Sequence, residues 1–165
     1  MDLRYATANN FTHQKIYDVG RCELRDDVAQ KLLEAQHEFE RSGYGLKLFD
    51  CYRPLSVQKK FWALVPDERY VANPAKGSRH NRGAAVDATL VRMTDGTDVP
   101  MGTDFDNFTE KAHRDYKQLP ADVLQNRQMF ERVMGNHGFV GLPTEWWHYD
   151  AQGWERYPIE DIPLR

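Results

Sequence analysis

Apolar residues recur at helical spacing across residues 25–42. Val28, Leu32, Ala35 and Phe39 fall at three- and four-residue steps with charged positions between them, which predicts an amphipathic helix. Asp26 and Asp27 suit its first turn and Gly43 its end. Residues 46–50 alternate and predict a strand. Pro54 then opens a second helix through Phe61 and Trp62. Residues 71–81, with Asn73-Pro74 and Gly77, read as a loop. Residues 84–91 predict a strand of small and β-branched residues, with Val86, Ala88 and Leu90 facing the core and Ala85, Asp87 and Thr89 on the other face. Residues 95–108 are rich in Gly, Asp and Thr and predict a long loop, whose acidic part up to Asp104 reads as a mobile lid. Residues 120–137 predict another helix, with Leu124, Val133 and Met134 on its apolar side and Gly138 as its stop. A short strand over residues 146–149 closes the series. The first 20 residues lack a period and read as extended chain around the core. The order helix, strand, helix, strand, helix, strand points to an α+β fold with a small antiparallel sheet flanked by helices.

The chain has 165 residues, which fits a single domain over 1–165 with a sizeable core. A formal net charge of -3 with no basic run gives no footprint for nucleic acid. No apolar stretch approaches a membrane span, and the first residues lack the apolar stretch of a signal peptide, so a cytoplasmic protein is expected. Homo-oligomerisation stays open. Cys22 and Cys51 have no CxxC spacing, which argues against a zinc ribbon or redox motif. They are read as buried free thiols ahead of a disulfide.

Two motifs carry the chemistry. One runs from Ser78 through His80 and Gly83 to Asp87, and the other is Glu145-Trp146-Trp147-His148. Together they offer two imidazoles and a carboxylate, enough for three ligands of a zinc ion with an open fourth position. Glu145 is a spare carboxylate suited to act as general base. Two imidazoles favour zinc over calcium or magnesium. Glu145 and His148 are three apart, an odd separation that sends side chains to opposite faces of a regular strand. They converge only if Glu145 lies in the bend after Pro143 and the strand begins behind it. His13, His37, His113 and His137 have no partner at ligand spacing. His37 falls on a polar helix side, His113 reads as solvated, and His137 ends a helix where a cation is favourable. One of Trp146 and Trp147 is expected to pack against the metal site and limit water there.

These motifs resemble those of the zinc D,D-peptidases, whose fold is shared with the Hedgehog signalling domain. Further stretches are similar to the VanX-type D-alanyl-D-alanine dipeptidases: residues 2–7 with Asn10-Phe11, Asp50-x-Tyr52-Arg53-Pro54, Asn73-Pro74, Gly77-Ser78, Met101-Gly102-Thr103-x-Phe105-Asp106 and Glu145-Trp146-Trp147-His148-Tyr149. The resemblance implies hydrolysis of the small dipeptide D-Ala-D-Ala, with one Zn2+ per chain held by His80, Asp87 and His148 and with Glu145 as base. It also implies that Arg53 binds the scissile carbonyl oxygen, that Asp106 lies near the substrate ammonium and that Ser78 lies near its carboxylate. A planar, always-charged donor suits an oxyanion forming beside a metal. The chain departs from the pattern where Arg79 puts a cation beside His80. Two rival readings are a D,D-carboxypeptidase or endopeptidase acting on peptidoglycan stems, and a zinc-stabilised module that only binds.

Overall fold

A computed structural model describes residues 1–164. Three helices and four strands follow the order α1 (Asp26–Arg41), β1 (Tyr44–Asp50), α2 (Leu55–Leu64), β2 (Ala85–Arg92), α3 (Ala121–Asn136), β3 (Phe139–Gly141) and β4 (His148–Ala151). The strands form one antiparallel sheet in the order β1-β2-β4-β3. This is the expected α+β architecture. Helix α1 buries Val28, Leu32, Ala35 and Phe39, the residues its periodicity singles out, and lies against β1 and α3. Gly43 ends it with φ +80°, a left-handed conformation that glycine adopts without a Cβ penalty.

Central strand β2 is covered on both sides. Val86, Ala88 and Leu90 are fully buried in the apolar core, while Asp87 and Thr89 on the alternate face are buried and polar. Buried polar groups need partners, and the sheet register supplies them at Asp87. That residue pairs with Asp50 on β1, after a register shift following Leu48, and with His148 on β4. Three ionisable residues from three strands are thus set side by side before any loop contributes.

Several expectations need correction. The final strand begins at His148 rather than at Trp146, and a three-residue edge strand, β3, precedes it. Val123 is buried on α3, whereas Leu124 is only half-buried. The first 20 residues are not simply extended: a 3-10 turn spans Arg4–Ala6, and Tyr5 and Tyr17 enter the core. The loop after β2 is tied down rather than free to act as a lid. Val99 N–H donates to Leu90 O, Arg127 Nε donates to Met101 O at 2.7 Å, and Val99, Met101 and Phe105 are buried. His113 is half-buried rather than fully solvated, and its Nε2 is enclosed without a hydrogen-bond partner. Cys22 and Cys51 form a disulfide with Cα atoms 5.2 Å apart, in place of free thiols.

Candidate metal centre

His80 begins a 3-10 turn, His80–Arg82, that ends in Gly83 at φ +65° and leads into β2. A Cβ at position 83 would lie in ordinary contact with Arg25, so the backbone angle rather than crowding calls for glycine there. The turn sets the His80 ring beneath the end of β1, where Nδ1–H donates to Cys51 O at 2.6 Å. Nε2 is left pointing inward. On β4, His148 Nε2–H donates to Asp150 Oδ1 at 2.8 Å, and Nδ1 faces Asp87 Oδ1 at 3.0 Å. His80 Nε2 lies 3.3 Å from the same Asp87 oxygen and 3.2 Å from His148 Nδ1.

The donor set fits a zinc ion. Ligand atoms about 2.0–2.1 Å from a tetrahedral centre stand about 3.3 Å apart, close to the three separations here. Each imidazole has its outer nitrogen engaged by a carbonyl or carboxylate and its inner nitrogen turned toward the other two candidate ligand atoms, the arrangement by which outer partners orient metal-binding histidines. The surrounding charge also calls for a cation. Asp87, Glu145 and Asp106 all line one cleft with Arg53.

Glu145 precedes the strand, in the bend after Pro143, with its N–H donating to Leu142 O. From there its Oε2 reaches to 3.9 Å from His148 Nδ1. The condition for convergence is met because β4 starts at His148. Burial lifts the Glu145 carboxyl to about 8; His148 opposes this, and Asp87 and Asp106 add to it. Burial also opposes charge on Asp87, but the neighbouring imidazoles prevail and hold its carboxyl well below the usual range. For His148, burial disfavours the imidazolium, yet Asp150 and Asp87 raise it to about 10.

Arg53 is buried at the wall of the cleft. Its Nε and Nη2 donate to Asp50 Oδ2 at 3.0 and 2.7 Å, and Nη1 donates to Gln58 Oε1 at 2.8 Å. Its guanidinium lies over Phe61, 4.8 Å from the ring centroid, and 5.4 Å from that of Tyr5. A guanidinium carries five N–H groups, so this packing leaves donors for a ligand. Asp50 is itself fully buried and accepts from Tyr17 Oη at 2.9 Å. Asp106 has φ +57° and accepts from Tyr5 Oη at 3.0 Å and Phe11 N–H at 3.4 Å. Burial, aided by Asp87, raises its carboxyl to about 7. Ser78 Oγ accepts from His80 N–H at 3.2 Å and lines the cleft. Trp147, rather than Trp146, forms part of the wall, and Phe11, Phe61 and Phe108 narrow it. The cleft holds about 100 Å³, below the roughly 300–1,000 Å³ of drug-sized sites.

All seven residues singled out in the sequence therefore meet at one cleft. Four further side chains shape it without having been foreseen: Asp50, Tyr5, Gln58 and Asp150. Asp150 had a legible signal, because it is two residues from His148 and so shares its strand face. Asp50 and Gln58 act through Arg53, three and five residues away, whereas Tyr5 reaches Asp106 from a distant segment.

A buried three-residue cluster of two imidazoles and a carboxylate, with a second carboxylate beside it in a small cleft, defines a metal-dependent hydrolase. The family model for M15 peptidases of the D-Ala-D-Ala dipeptidase type matches residues 1–160. The chain is 36% identical to the D-alanyl-D-alanine dipeptidase of Escherichia coli (strain K12), over 96% of this chain and 82% of that protein. It is also 36% identical to the D-alanyl-D-alanine dipeptidase of Enterococcus faecium, over 99% of this chain and 92% of that protein. The chain belongs to this family of D-Ala-D-Ala dipeptidases. Among solved structures, the LdcB LD-carboxypeptidase shares the fold at a TM-score of 0.51 and 19% identity, covering 80% of this chain and 60% of that one.

Proposed function

We propose that the protein hydrolyses D-Ala-D-Ala to two D-alanines with one zinc ion held by His80, Asp87 and His148. The observation that carries this reading is the convergence of His80 Nε2, Asp87 Oδ1 and His148 Nδ1, with Glu145 Oε2 3.9 Å from the last. The near full-length likeness to dipeptidases of that specificity supports the substrate. When bound, zinc supplies Lewis-acid chemistry, making water a nucleophile near neutral pH and polarising a carbonyl.

The chain's own residues do the rest. Glu145 takes a proton from the attacking water and returns it to the departing amide nitrogen, so one water is consumed as the peptide bond breaks. Arg53 points its free N–H groups toward the carbonyl oxygen as negative charge gathers there. Asp50 and Gln58 keep that guanidinium from swinging away. Asp106 receives the substrate ammonium, a cation that favours the ionised carboxylate. Ser78 offers a hydroxyl to the substrate carboxylate. The aromatic wall keeps water scarce, which strengthens each of these interactions.

The test is release of free D-alanine from D-Ala-D-Ala. Zinc-loaded protein should release it, a chelator should stop the release, and added zinc should restore it. Metal-stripped protein that works at an unchanged rate would refute the assignment.

A further inference from the structure

Two residues beyond His148 on the same strand face lies Asp150, a residue that the catalytic proposal does not use. Its Oδ1 accepts the His148 Nε2–H at 2.8 Å. Its other oxygen, Oδ2, lies 3.5 Å from Arg79 Nε, and the Arg79 guanidinium is stacked 4.5 Å from the Trp154 ring centroid. Asp150 is mostly screened from solvent, at 14% side-chain exposure, whereas Arg79 retains 40%. Arg79 is the cation that sets this sequence apart beside His80. Three segments thus meet behind one imidazole: the turn before β2, strand β4 and the 3-10 turn Trp154–Arg156.

An imidazole presents a lone pair on one ring nitrogen only when its proton sits on the other. A carboxylate fixed at Nε2 holds the proton there, fixes the ring plane and frees Nδ1 toward Asp87 and His80. The partner of His80 is a backbone carbonyl, which no side-chain substitution removes. That of His148 is a side chain, and Arg79 on Trp154 keeps it in place.

We infer that Asp150 is a positioning residue for the metal centre: it fixes His148 in the Nε2–H tautomer, with Arg79 and Trp154 bracing it from behind. The inference rests on the metal reading above, and its test keeps the two apart. Zinc affinity is measured by competition with a chromophoric chelator for the native protein, Asp150→Asn and Asp150→Ala. Native protein that binds no zinc would overturn the metal reading itself. If it binds, Asp150→Ala should weaken zinc binding about 10- to 100-fold, the usual effect of losing such a partner. Asp150→Asn, whose amide oxygen still accepts the N–H, should recover most of that loss. Unchanged affinity in Asp150→Ala, or equal losses in both variants, would overturn the positioning role. A readout independent of any variant is the ring ¹⁵N spectrum of His148 in zinc-loaded native protein. A protonated Nε2 is expected, and a protonated Nδ1 would overturn the inference.

Discussion

Glu145 stands next to His148 without being needed as a ligand, and that separation of roles is testable. Glu145→Gln keeps the shape and removes the base. Turnover of D-Ala-D-Ala should fall by roughly 100- to 10,000-fold, while zinc stays bound. Near-native turnover would remove Glu145 from the mechanism. On this proposal Arg53 has two duties, which two substitutions separate. Arg53→Ala should lower kcat about 100- to 1,000-fold, as loss of an oxyanion donor does, but it also strands Asp50 in the interior without its cation. Arg53→Lys keeps the charge and loses the planar fork. A folded Arg53→Lys protein with native kcat would refute the role in catalysis. A third expectation follows from proton linkage. The His148 imidazole holds its proton up to about 10, so a metal ion reaching Nδ1 at neutral pH must expel it. Zinc affinity should therefore rise with pH, by about tenfold per unit for one proton between about pH 6 and 8. Calorimetry in buffers of different ionisation enthalpy should show that proton, and a pH-independent affinity would contradict this coupling. The proposed ligands His80, Asp87 and His148, with Glu145 beside them, were legible because they fall in two compact motifs that resemble those of one family. Asp50 and Tyr5 fall in the stretches that carry the resemblance, but their roles were not legible, because these lie in side-chain contacts with Arg53 and Asp106 that no local period encodes.

At the scale of elements, the hydrophobic period located α1 to within a residue or so at each end, since a four-turn amphipathic stripe is a strong signal. Strand β3 escaped because three residues on a sheet edge, only one of them buried, carry no alternation to read. The disulfide escaped because partners 29 residues apart are joined by tertiary structure rather than by spacing. The disulfide bears on the site, since Cys51 is the residue whose carbonyl holds His80. Cys22→Ser should lower stability by about 2–4 kcal/mol and weaken zinc binding through a looser His80. Denaturant unfolding and chelator competition measure the two effects, and a variant equal to the native protein in both would show that the bond does not brace the site. Disulfides persist mainly in oxidising compartments, which stands against the cytoplasmic expectation. A thiol count on protein purified without reductant should give no free cysteine, and two titratable thiols would favour the reduced form. None of the helices among the described residues is long and apolar enough to cross a membrane.

Across the whole molecule, the two ends of the chain close around the middle. The N-terminal segment supplies Tyr5 and Phe11 to the cleft and holds Asp106. Near the other end, Glu160 N–H donates to Asn81 O and Glu160 O accepts from Leu55 N–H, tying down the turn that carries His80 and the start of α2. The sequence made the α+β class visible through the order of its elements. It did not show that the N-terminal segment lines the site and the C-terminal segment braces its turn, because a stretch without a period gives no hint of what it covers. The cleft of about 100 Å³ suits a short substrate. The most direct test offers zinc-loaded protein D-Ala-D-Ala, L-Ala-L-Ala and a stem pentapeptide ending in D-Ala-D-Ala, and measures free alanine from each. Turnover of the D,D-dipeptide alone is expected. Cleavage of the pentapeptide in its place would contradict the account and make the protein a D,D-carboxypeptidase, while silence on all three with zinc bound would leave a module that only binds.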